Sequence, residues 1–375
     1  MDDDRMSGYG KIDIEEHFDG DPVDDWLSLK CREDVADKTI EELERKLTEN
    51  KNETGLRQFL DQRDVDVLEA TVFDLFDFRD HIREKNSERD MLNRLTEIST
   101  FYSEMMHLYN QTDSNPAGYV LSRTDADVSS PDRDYHTVEE MGEYLRSIKH
   151  PQLQTMALYY LKYGLRRGAG VNIDLDCVHI DDPRYYEFLE QRGIELHENV
   201  KDHPDSIYIY GGFNGGDVVR GEKRETGNKR THEAILPMDD ELVQATLQYL
   251  TVRPDTSPPH PLFPQLKPIG WTYDRISPHT VYNKLVTEKG AEFGLTEVGS
   301  GRSDFDLHYC RHFFRTQMKR YRSDHDGHLP DDLVKYIRGD VLEEKVMDEI
   351  YQHDEWGVKI REPYVNNIYT FGLFD

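Results

Sequence analysis

The sequence predicts a mainly α chain with a small β-sheet, divided into a helical first part and a mixed second part. Three observations carry this. Apolar residues in the first third recur at helical spacing, for example Ile40, Leu43 and Leu47, then Leu56, Phe59 and Leu60. Short strand-like runs occur only between residues 171 and 236. A polar stretch rich in Ser, Asp, Thr and Pro, residues 121–135, separates the two parts. A length of 375 residues suits two domains of ordinary size. The expected boundaries are an acidic tail over 1–20, a helical domain over 21–120, this linker, and a second domain over 136–375 with a C-terminal tail.

The elements follow in order. Thr71 with Asp74 suits a helix start, followed by Phe73, Phe76 and Ile82. Ser87 precedes Leu92, Leu95, Ile98, Phe101, Tyr102, Met105, Leu108 and Tyr109, a wide apolar stripe that reads as core packing. Asn115-Pro116 closes this part. Thr137 and Glu140 form a capping box that opens the second domain, with helices over Met141–Ile148 and Leu153–Leu165. Strands are expected at Val171–Ile180, Ser206–Tyr210, Val218–Arg220 and His232–Leu236, where Pro237 ends the last. Helices resume at Asp240–Leu250, Pro278–Gly290, His308–Tyr321, Asp331–Arg338 and Val341–Tyr351. The Pro-rich run Arg253–Pro268 reads as a surface loop.

Composition narrows the function. Acidic residues number 75 against 46 basic, a net charge of −29, and hydrophobic residues make up only 36%. No run approaches the ~18 apolar residues of a membrane span, and Met1-Asp2-Asp3-Asp4-Arg5 does not open a signal peptide. Cys31, Cys177 and Cys310 are isolated, which suits no disulfide framework and no C-x-x-C zinc site. The expectation is a cytoplasmic, reduced protein without a membrane partner. Acid in excess with Lys scarce (18 Lys against 28 Arg) is what a protein dissolved in concentrated salt carries, because screening there relieves self-repulsion. An acidic binding protein of an ordinary cytosol is the alternative.

Such a charge counts against a nucleic-acid partner, but its distribution does not. Three cationic islands interrupt the acid: Lys149–Ile173 with four bases and no acid, Arg220–Arg230 with five bases against two acids, and Arg311–Arg322 with five bases and no acid. An anionic ligand would explain them. Each candidate residue is weak alone. His308-x-x-Arg311 arises by chance in a chain with 16 His and many Arg, and Arg166 could cap a helix C-terminus. His308 and His312, with Cys310 nearby, lack a third convergent zinc ligand, so no metal is expected. Asp174 and Asp176 read as an acidic turn.

Together the order Arg166, a basic hairpin, His308-x-x-Arg311-His312 and Tyr351-x-His353 resembles the tyrosine recombinase (phage integrase) family, over about residues 137–353. The resemblance implies a helical core-binding domain followed by an α+β catalytic domain whose small β-sheet is antiparallel. It implies cleavage and rejoining of double-stranded DNA through a 3′-phosphotyrosyl link, with no cofactor. The chemistry suits the residue types. Attack on a phosphodiester passes through a five-coordinate phosphorane whose charge two guanidiniums, Arg166 and Arg311, can grip in forks. Tyr351 would be the nucleophile, holding the broken strand covalently. The departing 5′-oxygen needs a proton, which a hairpin Lys supplies in this family. The lysine eight residues before Pro237 is Lys229, with Lys223 as the alternative. His308 would support the phosphate or share in proton transfer, and His312 would pack or orient its neighbours. Arg167, Arg315, Lys319, Arg320 and Arg322 are the expected DNA contacts.

Two departures from the pattern stand out. Where the family usually has His or Trp after a Gly, this chain has Gly339-Asp340, and an ionised Asp cannot donate to phosphate. The acid of Arg-x-x-Glu is also absent from Arg166-Arg167-Gly168-Ala169. After Pro363, Val365, Ile368 and Phe371 form an apolar tail that would dock on a neighbouring protomer, as in a tetramer on two duplexes, or on its own domain. The leading expectation is a site-specific recombinase or integrase from a salt-loving host, a haloarchaeon or its virus. A type IB topoisomerase and a non-cleaving DNA-binding regulator are the alternatives.

Overall fold

The computed structural model describes residues 20–33, 35, 37–48, 54–126, 136–269, 271–296, 305–324, 329–342 and 355–374, with backbone only at 37, 38 and 321–324. The chain divides into two compact units, Met1–Asp132 and Arg133–Asp375.

Among the described residues the first unit is built of α1 (Pro22–Arg32), α2 (Asp37–Leu47), α3 (Leu56–Asp61), α4 (Val72–Lys85), α5 (Glu88–His107) and α6 (Pro116–Ser122). Short polar side chains start them by satisfying free backbone N–H groups. Asp21 Oδ1 accepts from the amides of Val23 and Asp24 at 2.9 and 3.1 Å, and Ser87 caps α5. The Thr71/Asp74 pair forms a reciprocal capping box on α4. The α5 stripe is buried along Leu95, Ile98, Phe101, Tyr102 and Met105. Trp26 of α1 packs edge-on against Phe101 and donates to Glu104 Oε2 at 2.7 Å. Of the apolar residues expected to pack from α4, Ile82 is buried but Phe73 is 81% exposed; the helix buries Leu75, Phe78 and Ile82, because α5 and α6 pack against that side.

The second unit wraps helices around α8 (Pro151–Tyr163), almost every residue of which is buried. Around it lie α7 (Val138–Ser147), α9 (Arg167–Val171), α10 (Pro183–Glu190), α11 (Glu198–Lys201), α12 (Asp240–Leu250), α13 (Pro278–Tyr282), α14 (Ala291–Phe293), α15 (Leu307–Asp324), α16 (Asp331–Arg338) and α17 (Glu362–Asn367). The small sheet is antiparallel, in the order β1 (Val178–His179), β2 (Ser206–Ile209), β5 (Ala234–Pro237), with Ser206 opposite Pro237 and Val178 opposite Ile207. A separate hairpin pairs β3 (Val218–Val219) with β4 (Glu222–Lys223).

Several expectations are corrected here. Of the strand expected at Val171–Ile180 only Val178 and His179 join the sheet, because the backbone around the buried Asp174 forms an isolated antiparallel bridge to Pro261 instead, with Leu175 N bonding His260 O at 2.8 Å. The Pro-rich run is not a simple surface loop. Leu262 and Phe263 are buried, Leu262 N bonds Ile173 O at 2.9 Å, and the Arg253 guanidinium donates to Leu262 and Pro261 carbonyls. The helix expected over Pro278–Gly290 widens to π geometry from Asn283 to Gly290. Val341 and Leu342 are not helical, and the remainder of the expected Val341–Tyr351 helix lies outside the described residues.

The tail folds back on its own domain. Tyr364, Tyr369 and Phe371 are buried, and Lys162 Nζ donates to Tyr369 O at 2.9 Å. Glu241 accepts from the Phe371 and Leu373 amides at 3.1 and 3.0 Å, while Arg146 donates to Phe371 O at 2.8 Å. Lys162 is itself buried between Asp239 and Glu241, so the tail is clamped by a paired charge cluster rather than by apolar contact alone.

Candidate active site

Two helix ends create the site. Helix α8 stops at Gly164, whose φ of +58° is left-handed, and the chain turns so that Arg166 becomes the N-cap of α9. Helix α16 stops in the same way at Gly339, φ +68°, and delivers Asp340. The two glycine carbonyls then serve as anchors. Gly164 O accepts from Arg311 Nη1 at 2.6 Å, and Gly339 O accepts from Arg166 Nη1. A side chain at Gly339 would also meet Arg230 Cγ at 2.7 Å, so Gly is required there twice over.

Arg311 comes from α15, which packs against α8, and is 2% exposed. Besides Gly164 O it binds Arg338 O at 2.8 Å and Asp340 Oδ1 at 2.6 Å. Arg166, 34% exposed, reaches the same Asp340 oxygen at 3.4 Å, and Arg338 pairs with Oδ2 at 3.1 Å. Three guanidiniums therefore converge on one carboxylate. Burial, and then the positive charges of Arg166, Arg338 and Arg230 against the pull of Asp340, push the Arg311 pKa down to about 9. Arg311 remains charged at neutral pH, held in a cationic setting that favours an anion. Arg230 is buried and donates to the Ile337 carbonyl at 3.1 Å and to the Tyr336 carbonyl, closing the C-terminal turn of α16.

Lys229 is exposed and lies between two anchored neighbours. Asn228 on one side meets Asn172 at the end of α9, whose Nδ2 also donates to Thr226 O at 2.9 Å. Arg230 on the other side holds the end of α16. The lysine thus lies in an irregular segment fastened to the end of α9 and to the end of α16, two of the elements around the arginine cluster. Lys223, the alternative, is exposed on β4. His308, one turn before Arg311 on α15, is exposed, with its ring 4.7 Å from that of His312. Arg315 and Lys319 continue the same face at helical spacing and are exposed. Arg320 is exposed on α15, and Arg167 is exposed beside Arg166. The Arg322 side chain and the whole of Tyr351 lie outside the described residues.

Tyr364 and Tyr369, which follow Tyr351, are not available for attack. Tyr364 and Tyr369 are buried, and their hydroxyls donate to Lys162 O at 3.2 Å and Leu161 O at 2.6 Å. Cys310, one residue before Arg311, is buried, and burial holds its thiol well above the usual range. Among the described residues Asp174, Asp176 and Cys177 lie close enough to suggest a metal. Cations already meet those carboxylates: Arg224 and Arg275 bind Asp174, and Arg220 binds Asp176, so the cluster pins the β3–β4 hairpin instead. Sequence reading missed Arg338 and Arg230 as parts of the arginine cluster. The signal available was basic residues beside a helix-ending Gly and inside the second cationic island.

Arg166, Arg311 and Arg338 thus meet at two helix ends in a helical unit with a small antiparallel sheet. Solved structures give it a fold. The chain matches a lambda integrase dimer bound to a COC′ core site, with a TM-score of 0.52 at 12% identity, over 86% of this chain and 98% of that one. A lambda integrase tetramer bound to a Holliday junction matches with a TM-score of 0.53 at 11% identity, over 92% and 79%. The Tn1549 transposon integrase in complex with circular intermediate DNA matches with a TM-score of 0.52 at 15% identity, over 86% and 92%. The chain has the fold of these tyrosine recombinases and integrases. No family model and no curated protein matches the sequence. No helix among the described residues is long and apolar enough to cross a membrane.

Proposed function

We propose that the chain is a site-specific DNA recombinase or integrase of the tyrosine type. The observation that carries this is the convergence of Arg166, Arg311 and Arg338 on a single anionic group. In the proposed reaction Arg166 and Arg311 grip the non-bridging oxygens of a DNA phosphate and stabilise the phosphorane. The Tyr351 hydroxyl oxygen attacks phosphorus and gives up its proton to His308 or water, the bond to the 5′-oxygen breaks, and Lys229 gives that oxygen a proton. A 5′-hydroxyl of the partner strand then attacks the 3′-phosphotyrosyl bond and releases the tyrosine. His308 supports the phosphate or shares in proton transfer. Burial of Tyr364 and Tyr369 favours Tyr351 as the nucleophile.

The exposed bases Arg167, Arg315, Lys319 and Arg320, with Arg322, are proposed as contacts to the DNA backbone, and the first unit as the core-binding clamp. We further propose that four protomers assemble on two duplexes in the synaptic complex, with each tail retained on its own domain. The solved neighbours bound to DNA support a DNA partner.

Asp340 supports a second reading, a DNA-binding regulator with the fold but without cleavage, since its carboxylate already fills the arginine cluster. Incubation with nicked suicide substrates carrying the flanking sequences of the element that encodes the chain separates the two. A covalent protein–DNA adduct supports the enzyme; tight binding with no adduct supports the regulator.

A further inference from the structure

We propose that Asp340 is an internal phosphate surrogate: it occupies the arginine site in the DNA-free protein and is displaced by the incoming phosphodiester. The inference rests on reading the cluster as a phosphodiester site. Asp340 Oδ1 receives Arg311 Nη2 at 2.6 Å and Arg166 Nη2 at 3.4 Å, and Oδ2 receives Arg338 Nη1 at 3.1 Å. A carboxylate and a phosphodiester both present two charged oxygens to such forks.

Three features make displacement feasible. The arginines do not depend on the carboxylate for their positions, since Gly164 O and Arg338 O hold Arg311 and Gly339 O holds Arg166. The carboxylate sits on the open side, with Asp340 27% and Arg166 34% exposed while Arg311 lies behind at 2%. Among the described residues the buried Arg338 Nε also has no hydrogen-bond partner, so the carboxylate does not satisfy every donor of the cluster. Departure of Asp340 therefore leaves a preorganised cationic site, and its presence makes any phosphate compete with an anion tethered to the chain.

Full-length wild type, Asp340→Asn and Asp340→Ser are compared in two assays. Binding of a labelled duplex of about 30 bp is read by fluorescence anisotropy at fixed salt. Thermal shift is read in inorganic phosphate against chloride at matched ionic strength, a response that a merely structural Asp340 would not change. The expected result is duplex binding about tenfold tighter in both neutral variants, with a larger phosphate-specific stabilisation than in wild type. A variant that unfolds in chloride and is restored by phosphate supports the inference equally. Equal or weaker duplex binding with an unchanged phosphate response overturns it, as does unfolding that phosphate does not reverse. Adduct formation by wild type on the nicked substrate reports separately: adduct without any gain in the variants sinks this inference alone, while gains in affinity without adduct in any form sink the cleavage reading alone.

Discussion

Arg311→Lys is the substitution whose outcome the geometry defines most closely. The arginine makes three charge-assisted bonds, to Gly164 O at 2.6 Å, Arg338 O at 2.8 Å and Asp340 at 2.6 Å, from two different nitrogens. A lysine carries the charge on one nitrogen and cannot span all three partners. At least one of the two carbonyls is left buried without its donor, at about 1–3 kcal/mol, and a further charged bond is weakened. A total of about 2–4 kcal/mol is expected. At ~2–4 °C per kcal/mol for a unit of this size, melting should fall by roughly 5–15 °C. The adduct rate on a nicked substrate should fall about 10²–10³-fold, as for loss of one preorganised oxyanion donor. Arg166→Lys is the control. Arg166 is 34% exposed and uses a single carbonyl anchor, so its stability loss should stay near 1 kcal/mol while the adduct rate falls comparably. Differential scanning fluorimetry and single-turnover adduct formation measure the two quantities. Arg311→Lys melting within about 1 °C of wild type, or both variants losing equal stability, would refute the argument from burial.

Other expectations follow from the same geometry. Lys229→Ala should slow cleavage about 10²–10⁴-fold, and a 5′-bridging phosphorothiolate, whose leaving group needs no proton, should restore it; rescue of Lys223→Ala instead transfers the role to β4. Tyr351→Phe should bind DNA yet form no adduct, whereas Tyr364→Phe and Tyr369→Phe should keep the adduct and lose about 1 kcal/mol each with their buried hydroxyl bonds; peptide mapping of trapped wild type locates the nucleotide. Phe371→Ala should cost about 3–5 kcal/mol by denaturant melting, because the ring is buried on its own domain, and a near-neutral effect would mean that the tail is not seated there in solution. With a net charge of −29, the protein should gain stability as KCl rises towards molar, and full thermal stability at about 50 mM salt would contradict a salt-adapted surface.

Local pattern carried much of the architecture. The Thr71/Asp74 and Thr137/Glu140 capping boxes, the α5 stripe, and the spans of α12 and α16 are all legible in sequence because a helix start or an apolar period involves residues three or four apart. The pairing of Arg166 with Arg311 was legible only through order and resemblance, since no local rule joins residues so far apart. What surrounds that pair was decided by tertiary structure. Asp340 reads in sequence as a lost donor and in space as the centre of the cluster; Arg230 reads as part of a basic island and in space as the cap of α16. The same holds for Asp174, buried among three arginines rather than lying in an open acidic turn, and for the tail, which the Lys162–Glu241 clamp and Arg146 hold on its own domain. Phe73 and Phe76 suit either side of α4 equally well, and only the packing of α5 and α6 turned Phe73 outward. Periodicity reports which residues share a face, but which face is buried and which charges meet depend on contacts between segments distant in the chain.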